Sequence, residues 1–277
     1  MPKQIKDFPE KTIASDEDLI LIQDAAGITY KITRANLLQG FSSTPNLNEF
    51  PTTTRYRFSA SSITGLNNND LVSSINDLSE NNFTAVASNT ARPTYQTNII
   101  NNKPALLFNG SSNFLDLGNN QIISDTDDFV IFKIANYAAD SVCIGSGGNS
   151  GGSWGLQMGY GIHYIVSNGS LVSIDFPNPN LNSFNIYTLA RLNGRWRAWI
   201  NGGTYIDGGT NIVNIRGSSN SYQQKTIIGG KWDGAVMNFM NGYLTDVCVK
   251  ISPTISDINS IGSYYANQYN LIWNNAS

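Results

Sequence analysis

The sequence predicts an all-β protein: one large β-sandwich, preceded by a small module of a β-hairpin and a short helix, and closed by one C-terminal helix. From Tyr56 onward, short apolar runs alternate with clusters of Asn, Gly, Ser and Pro, the pattern of strands joined by turns. The 277 residues include 25 glycines, and strong helix formers are scarce beyond residue 40. The first 40 residues hold 11 of the 37 charged side chains (17 basic plus 20 acidic). These observations divide the chain into a module at 1–40, a linker at 41–55 and a sandwich at 56–277.

The N-terminal module has the pattern of a hairpin followed by a helical turn. An apolar run covers 19–22, and Ile28, Tyr30 and Ile32 alternate on one face of a second strand. Thr33 can cap a short helix over 34–39 that Gly40 ends. A segment this short cannot bury a sufficient core by itself. We therefore expect it to need a partner, which is either another subunit or the same module of the other chains in a trimer. The predicted docking residues are Leu19, Leu21, Ile28, Tyr30, Ile32, Leu37 and Leu38.

The residues of this module also carry a resemblance. Ser15 to Asp24, then Tyr-Lys-Ile-Thr at 30–33 and Asn-Leu-Leu at 36–38, resemble the N-terminal segment of many bacteriophage tail-fibre and baseplate-associated structural proteins. In those proteins the segment precedes a variable distal domain. The resemblance implies that the module attaches the sandwich to a particle. The alternative is an ordinary hairpin packed on the main domain.

Local patterns predict the remaining elements in order. Proline and β-branched polar residues make 41–55 extended. A nearly continuous apolar strand covers 129–134, one hairpin turns around 159–161, and Asn193-Gly194 signals another. Trp196 and Trp199 fall on opposite sides of one strand, so at most one of them should be core. Ser256 caps the one convincing helix, at 257–269.

A second resemblance covers 56–274, which looks like the concanavalin A-like, laminin-G-like lectin sandwiches. Its motifs occur in the family's order: Asn-Asp-Leu-Val-Ser-Ser at 69–74, Arg-Pro-Thr-Tyr at 92–95, Lys-Pro-Ala-Leu-Leu-Phe-Asn-Gly at 103–110, Phe-Leu-Asp-Leu-Gly at 114–118 and Asn-Gly-Tyr-Leu-Thr-Asp-Val at 241–247. The resemblance implies an antiparallel two-sheet jelly roll that carries carbohydrate or protein ligands. Many relatives also hold calcium, but this chain has Ser59 where the family often has Asp.

Composition and charge argue against several classes. A net charge of −3 with no basic stripe disfavours a nucleic-acid partner. No apolar stretch approaches the roughly 18 residues of a membrane span, and the N-terminus lacks the apolar core of a signal peptide, so Sec export is not expected. One His and two Cys disfavour structural zinc. Cys143 and Cys248 lie in separate apolar runs, which favours two buried thiols and leaves a disulfide open.

We expect no enzyme activity. Glycoside hydrolysis needs two carboxylates flanking the scissile bond, and glutamate occurs only at positions 10, 17, 49 and 80. The aspartate run at 125–128 precedes a strand and has the character of a loop or cap. An Asp pair from separate loops, such as Asp175 with Asp233, stays open. His163 is the only imidazole, which disfavours a serine-nucleophile triad.

Binding is better supported than catalysis. Sugar rings stack their apolar faces on aromatic side chains, while Asn, Asp and backbone groups bond the hydroxyls. Candidate glycan-binding residues lie beside Gly-rich turns and at strand edges: Trp154, Tyr160, His163, Tyr164, Trp232 and Asp233. For each of them the alternative is a place in the sandwich core. Asp116 and Asp233, with nearby Asn side chains, are candidate ligands for calcium, the one cofactor that the sequence suggests.

These features together predict a phage virion structural protein, a tail-fibre or receptor-binding protein. It would be assembled in the host cytoplasm, dock to other tail or baseplate proteins by its N-terminus and adhere to host-surface glycan with its lectin-like head. A homotrimer would raise the weak affinity of each site by multivalency. One alternative is a capsid or tail decoration protein whose sandwich binds protein, and another is a glycan depolymerase.

Overall fold

The structure is a computed structural model that describes residues 19–23, 29–33, 49–119, 128–138, 142–147, 155–159, 162–167, 170–175, 182–210, 225–232 and 235–277. The chain divides into two compact units, Met1–Glu49 and Phe50–Ser277. Unit 1 contains β1 (Leu19–Gln23) and β2 (Thr29–Thr33), which pair antiparallel and confirm the predicted hairpin. Ile28, Leu37, Leu38 and the helix predicted over 34–39 lie outside the described residues.

Cross-strand pairing divides this hairpin into two rows, because paired residues of antiparallel strands lie on one face. One row consists of Ile20, Ile22, Tyr30 and Ile32. The other contains the pairs Leu19–Thr33 and Leu21–Lys31. The predicted docking residues Leu19 and Leu21 pair with Thr33 and Lys31, whereas Tyr30 and Ile32 pair with Ile22 and Ile20. We call the set of Ile20, Ile22, Tyr30 and Ile32 the hairpin row.

Unit 2 consists of strands and one helix. Its described strands are β3 (Tyr56–Ser59), β4 (Ser74–Asn76), β5 (Thr84–Val86), β6 (Thr94–Ile100), β7 (Lys103–Asn109), β8 (Leu115–Asp116), β9 (Phe129–Tyr137), β10 (Val142–Gly147), β11 (Gly155–Gly159), β12 (Ile162–Ser167), β13 (Ser170–Asp175), β14 (Asn185–Leu192), β15 (Arg195–Ile200), β16 (Ile206–Gly209), β17 (Lys225–Ile228), β18 (Lys231–Trp232), β19 (Val236–Met237) and β20 (Asn241–Ile251). The helix α1 covers Ile255–Tyr269.

These strands form two antiparallel sheets, which confirms the predicted sandwich. Sheet 1 has the order β16-β15-β14-β9-β20-β7-β6, and β3 pairs with the second half of β20. Sheet 2 has the order β13-β12-β11-β10-β17-β8-β5-β4, and β18 and β19 form a separate small hairpin. The predicted hairpins β11–β12 and β14–β15 are both present; the second turns through Asn193 and Gly194, which have φ angles of 51° and 72°.

Sheet 1 is enclosed on both faces. One core lies between the sheets and includes Phe129 of sheet 1 and Met158 of sheet 2. A second core lies between sheet 1 and α1, where the ring centroid of Phe132 lies 6.1 Å from that of Tyr265. Every residue of β9 except Asn136 is buried, as expected for a strand covered on both sides.

This enclosure corrects the expectation for the two tryptophans of β15. Trp196 is 0% exposed and belongs to the core between the sheets, while Trp199 is 1% exposed and belongs to the core beneath α1. The expectation that at most one would be core assumed a sheet with one solvent face. It was wrong because α1 covers the second face.

The helix α1 is confirmed, but it begins earlier than predicted. Thr254, and not Ser256, is the N-cap: its hydroxyl accepts the N–H of Asp257, and the Asp257 carboxylate accepts the N–H of Thr254. This capping box requires an acidic residue three positions after the cap, a spacing that Thr254 has with Asp257. Asn270, at φ 53°, ends the helix. Within the described residues, no helix is long and apolar enough to cross a membrane.

The second half of the predicted linker packs on unit 2. The ring of Phe50 lies 5.0 Å from that of Tyr264 and 5.8 Å from that of Tyr265, between centroids. The Nζ of Lys250 donates to the Oγ1 of Thr52 at 2.9 Å. Residues 50–55 are thus part of the folded unit. The linker prediction missed this because it rested on composition, which does not show that Phe50 makes apolar contacts.

A lysine is buried beside one of the two cysteines. Lys133 is 0% exposed, and its Nζ donates to the hydroxyl of Tyr137 at 2.7 Å and lies 4.8 Å from the ring centroid of Tyr187. Burial lowers the pKa of this ammonium to about 7 and raises the pKa of the Cys143 thiol. Cys143 and Cys248 are both buried free thiols, as the sequence favoured.

Replacing Lys133 with Met should raise stability at neutral pH and alter its pH dependence. The folded-state pKa of about 7 lies below the ordinary value of 10.5, so the folded state binds fewer protons than the unfolded state between these values. Wild-type stability should therefore rise with pH in that window, and the variant should lack a rise of about 2 kcal/mol between roughly pH 7 and 9. Urea unfolding across this range measures the difference between the two proteins. The same change of unfolding free energy with pH in both proteins would contradict the expectation.

Candidate functional site on the outer face of sheet 2

The register of sheet 2 separates a buried inner row from an outer row. Inner-row residues pack in the core between the sheets: Ile75, Ala85, Leu115, Ile228, Ile144, Met158 and Ile174. The outer row follows consecutive cross-strand pairs: Ser74, Val86, Asp116, Ile227, Gly145, Gln157, Tyr164 and Ser173. This outer row turns away from the core between the sheets, and Ile227 and Gly145 at its centre are buried.

Two glycines let the β18–β19 hairpin fold back on the middle of the outer row. Gly229 has a φ of +89°, and a Cβ there would lie 2.3 Å from the ring of Phe108. A Cβ at Gly145 would lie 2.8 Å from the Cβ of Lys231. The backbone of β18 therefore lies close against β10, and Trp232 follows directly after this contact.

A cluster of Asp116, Lys225 and Trp232, which we call the outer-face cluster, lies at this position. The Nζ of Lys225 is 2.9 Å from the Oδ2 of Asp116 and 4.5 Å from the ring centroid of Trp232. The Oδ1 of Asp116 accepts the N–H of Gly118 at 2.6 Å. The side chains of Lys225 and Asp116 are 25% and 22% exposed, and Trp232 is half-buried. An aromatic surface beside an ammonium and a carboxylate can stack on a sugar ring and bond its hydroxyls.

The structure brings some predicted site residues together and separates others. Trp232 and Asp116 meet through Lys225, and Tyr164 stands in the outer row. His163 pairs with Met158, and Tyr164 pairs with Gln157. Trp154, Tyr160 and Asp233 lie outside the described residues.

The contacts of Asp116 do not favour the predicted calcium site. One carboxylate oxygen pairs with the Lys225 ammonium and the other accepts a backbone N–H, so a calcium ion would have to displace a cation already in place. In the described part of the chain, no group of three or more His, Cys, Asp and Glu side chains could hold a metal. Asp233, the other candidate calcium ligand, lies outside the described residues.

Sequence reasoning missed Lys225 and Val86. Lys225 is 109 residues from Asp116, and no local pattern links the two positions. Val86 is 50% exposed and pairs with Asp116 across strands β5 and β8. Its apolar side chain looks like a core residue in the sequence, and only the register places it on the outer face.

Comparison with solved structures finds the same fold. Domain 4 of AbnA, a GH43 extracellular arabinanase from Geobacillus stearothermophilus in complex with arabinotriose, matches with a TM-score of 0.51 and 13% identity, covering 71% of this chain and 100% of that one. Trypanosoma rangeli sialidase in complex with sialic acid matches with a TM-score of 0.50 and 14% identity, covering 92% of this chain and 44% of that one. No protein-family model and no curated protein matches the sequence.

Replacing Asp116 with Asn tests the ion pair against the calcium site. Loss of a partly buried pair should lower the free energy of unfolding by about 1 kcal/mol, equally in calcium and in EDTA. Thermal unfolding in both buffers measures this, with Asp207→Asn as a control because Asp207 pairs with Arg195 at a more exposed position on sheet 1. Stabilisation of the wild type by calcium that the Asp116 variant lacks would support the predicted calcium site instead.

Proposed function

We propose that this protein is a non-catalytic carbohydrate-binding protein whose ligand surface is the outer face of sheet 2. The observation that carries the proposal is the outer-face cluster, in which a half-buried tryptophan lies beside an ion-paired lysine and aspartate. On sheet 1, by contrast, one face packs against sheet 2 and the other packs against α1. A sandwich of this fold is also seen in an arabinanase domain in complex with arabinotriose and in a sialidase in complex with sialic acid.

The outer-face cluster favours binding of a glycan over its hydrolysis. Hydrolysis needs one carboxyl group as acid and a second as base or nucleophile. In the outer-face cluster Asp116 is the one carboxylate, and Lys225 and a backbone N–H hold it in place. Release of reducing ends from polysaccharide, lost on substitution of one aspartate, would establish a depolymerase instead.

Attachment to a particle is the proposed role of unit 1. An isolated two-stranded hairpin is marginally stable in water, so the hairpin row of Ile20, Ile22, Tyr30 and Ile32 favours a partner that covers it. With the resemblance of this module to phage tail-fibre and baseplate segments, we infer a virion structural protein, a tail-fibre or receptor-binding protein that forms a homotrimer. It adheres to host-surface glycan with its sandwich. A capsid or tail decoration protein, with the sandwich binding protein, is the second candidate.

Replacing Trp232 with Ala should weaken glycan binding at least about tenfold, a loss of roughly 1.4 kcal/mol, because the apolar stacking surface is removed. A glycan array that includes arabino-oligosaccharides identifies a ligand for the wild type, and titration calorimetry then compares the variants. Tyr205→Ala is the matched control: the ring of Tyr205 has Arg197 4.6 Å from its centroid, but it lies beside sheet 1.

The outcomes separate the candidate functions. An equal loss of glycan affinity in the Trp232 and Tyr205 variants would show that the ligand does not bind at the outer face. No glycan binding by the wild type would favour the decoration protein, whose sandwich should then retain a protein from purified particles.

Replacing Tyr30 and Ile32 together with Asp should prevent self-association and incorporation into particles, because it places charge in the hairpin row. The affinity of a single sandwich for glycan should stay unchanged while avidity on a multivalent surface falls. Light scattering and particle assembly measure the first effect. Lys31→Ala, in the opposite row, is the control. Normal assembly of the double variant would contradict the docking role.

A further inference from the structure

A cleft where α1 packs on sheet 1 has the features of a second binding site. It lies between β3, β20 and the C-terminal part of α1, and has a volume of about 220 Å³. Arg57, Asp246 and Tyr269 line it, with Lys103 of β7. A neighbouring cavity of about 470 Å³, walled by 50–54 and 78–81, shares Arg57 and Leu78 with it. The cleft belongs wholly to unit 2 and is separate from the outer-face cluster.

Asp246 is the acidic group of the cleft. Its side chain is 2% exposed, and its Oδ2 accepts hydrogen bonds from the hydroxyl of Ser59 at 2.9 Å and from the hydroxyl of Tyr269. Its Oδ1 is buried and has no partner among the described residues. Burial raises the pKa of this carboxyl to about 6, against the opposing effects of Arg57 and the two hydroxyls. At neutral pH Asp246, which lines the cleft, therefore has a buried carboxylate oxygen without a donor, which is costly unless a bound group supplies one.

Arg57 supplies the complementary group. Its guanidinium lies 4.1 Å from the ring centroid of Phe50 and 5.4 Å from that of Tyr264, and its Nη2 donates to the Tyr264 hydroxyl at 2.9 Å. Its Nε is buried and has no acceptor among the described residues. The aromatic contacts fix the plane of the guanidinium, so this N–H is a rigid donor in a site that also contains an unsatisfied acceptor.

The charges of the cleft limit what can bind there. Arg57 and Lys103 with ionised Asp246 give a net charge of +1, which favours a ligand with one negative charge. A metal cation would meet two cationic side chains, and a doubly charged phosphate would lie beside the Asp246 carboxylate. A neutral sugar would leave the positive charge uncompensated. A carboxylate and a hydroxyl in one small molecule match the three groups.

We propose that this cleft binds a carboxylate-bearing sugar of the uronic-acid class, with its carboxylate on Arg57 and Lys103 and a hydroxyl donating to the Oδ1 of Asp246. The neighbouring cavity shares Arg57 and Leu78 with the cleft and is also lined by Glu80, so it suits an uncharged residue as the next unit of the oligosaccharide. The site is independent of the outer-face cluster and gives the protein a second specificity, for acidic glycans.

Titration of the full-length protein with sodium glucuronate tests the proposal, with glucose as the uncharged match. The expected dissociation constant is about 1 mM, with glucose bound at least about tenfold more weakly. Arg57→Lys should weaken glucuronate binding about tenfold, because lysine lacks the fixed guanidinium geometry. Lys103→Gln, at a half-buried rim position, should weaken it less and reduce its salt dependence. An acidic disaccharide should bind more tightly than the monosaccharide.

Variants of the two sites distinguish the two proposals. Trp232→Ala should leave glucuronate binding unchanged, and Lys103→Gln should leave binding of the array-selected neutral glycan unchanged. Equal affinity for glucose and glucuronate, or unchanged glucuronate binding in both the Arg57 and Lys103 variants, would overturn the site. So would a crystal soaked in glucuronate that has only an ordered water between Arg57 Nε and Asp246 Oδ1.

Discussion

β9 and β20, the neighbouring central strands of sheet 1, bury side chains on both faces, one toward sheet 2 and one toward α1. Each 100 Å² of apolar surface removed from water contributes about 2.5 kcal/mol, so two buried faces account for much of the stability of the fold. The same enclosure decides where ligands can reach strands. The outer face of sheet 2 turns away from both cores and is covered only at its middle, by the β18–β19 hairpin, among the described residues. Where the edge of α1 meets β3 and β20 lies the cleft around Asp246.

Both candidate sites place a cation against an aromatic ring. Lys225 lies 4.5 Å from the centroid of Trp232, and Arg57 lies 4.1 Å from that of Phe50. Such contacts hold the charged group in one orientation and keep part of its stem in apolar surroundings. Each candidate site therefore has a cationic donor in a fixed position beside an apolar ring. That combination suits glycans, whose rings are apolar on one face and whose hydroxyls need oriented partners.

Local patterns predicted much of the fold, and long-range contacts determined the rest. The N-terminal hairpin, the turn at Asn193-Gly194 and the helix follow from alternation, turn chemistry and capping, all of which act over a few residues. The burial of Trp199 required knowing that α1 packs on its strand. The Lys225–Asp116 pair and the Ser59–Asp246 bond join positions 109 and 187 residues apart, so no local signal identifies them. Trp232 was predicted because it follows a Gly-Gly turn.

The central claim is that the outer face of sheet 2 binds glycan. Hydrogen exchange of the full-length protein, measured with and without a saturating neutral oligosaccharide selected on the array, tests it most directly. We expect slower exchange of amides in 114–118 and 225–232, with exchange in 56–62 and 264–269 unchanged. Protection confined to the segments around α1 and β3, or no protection despite binding, would contradict the assignment of this face as the ligand surface.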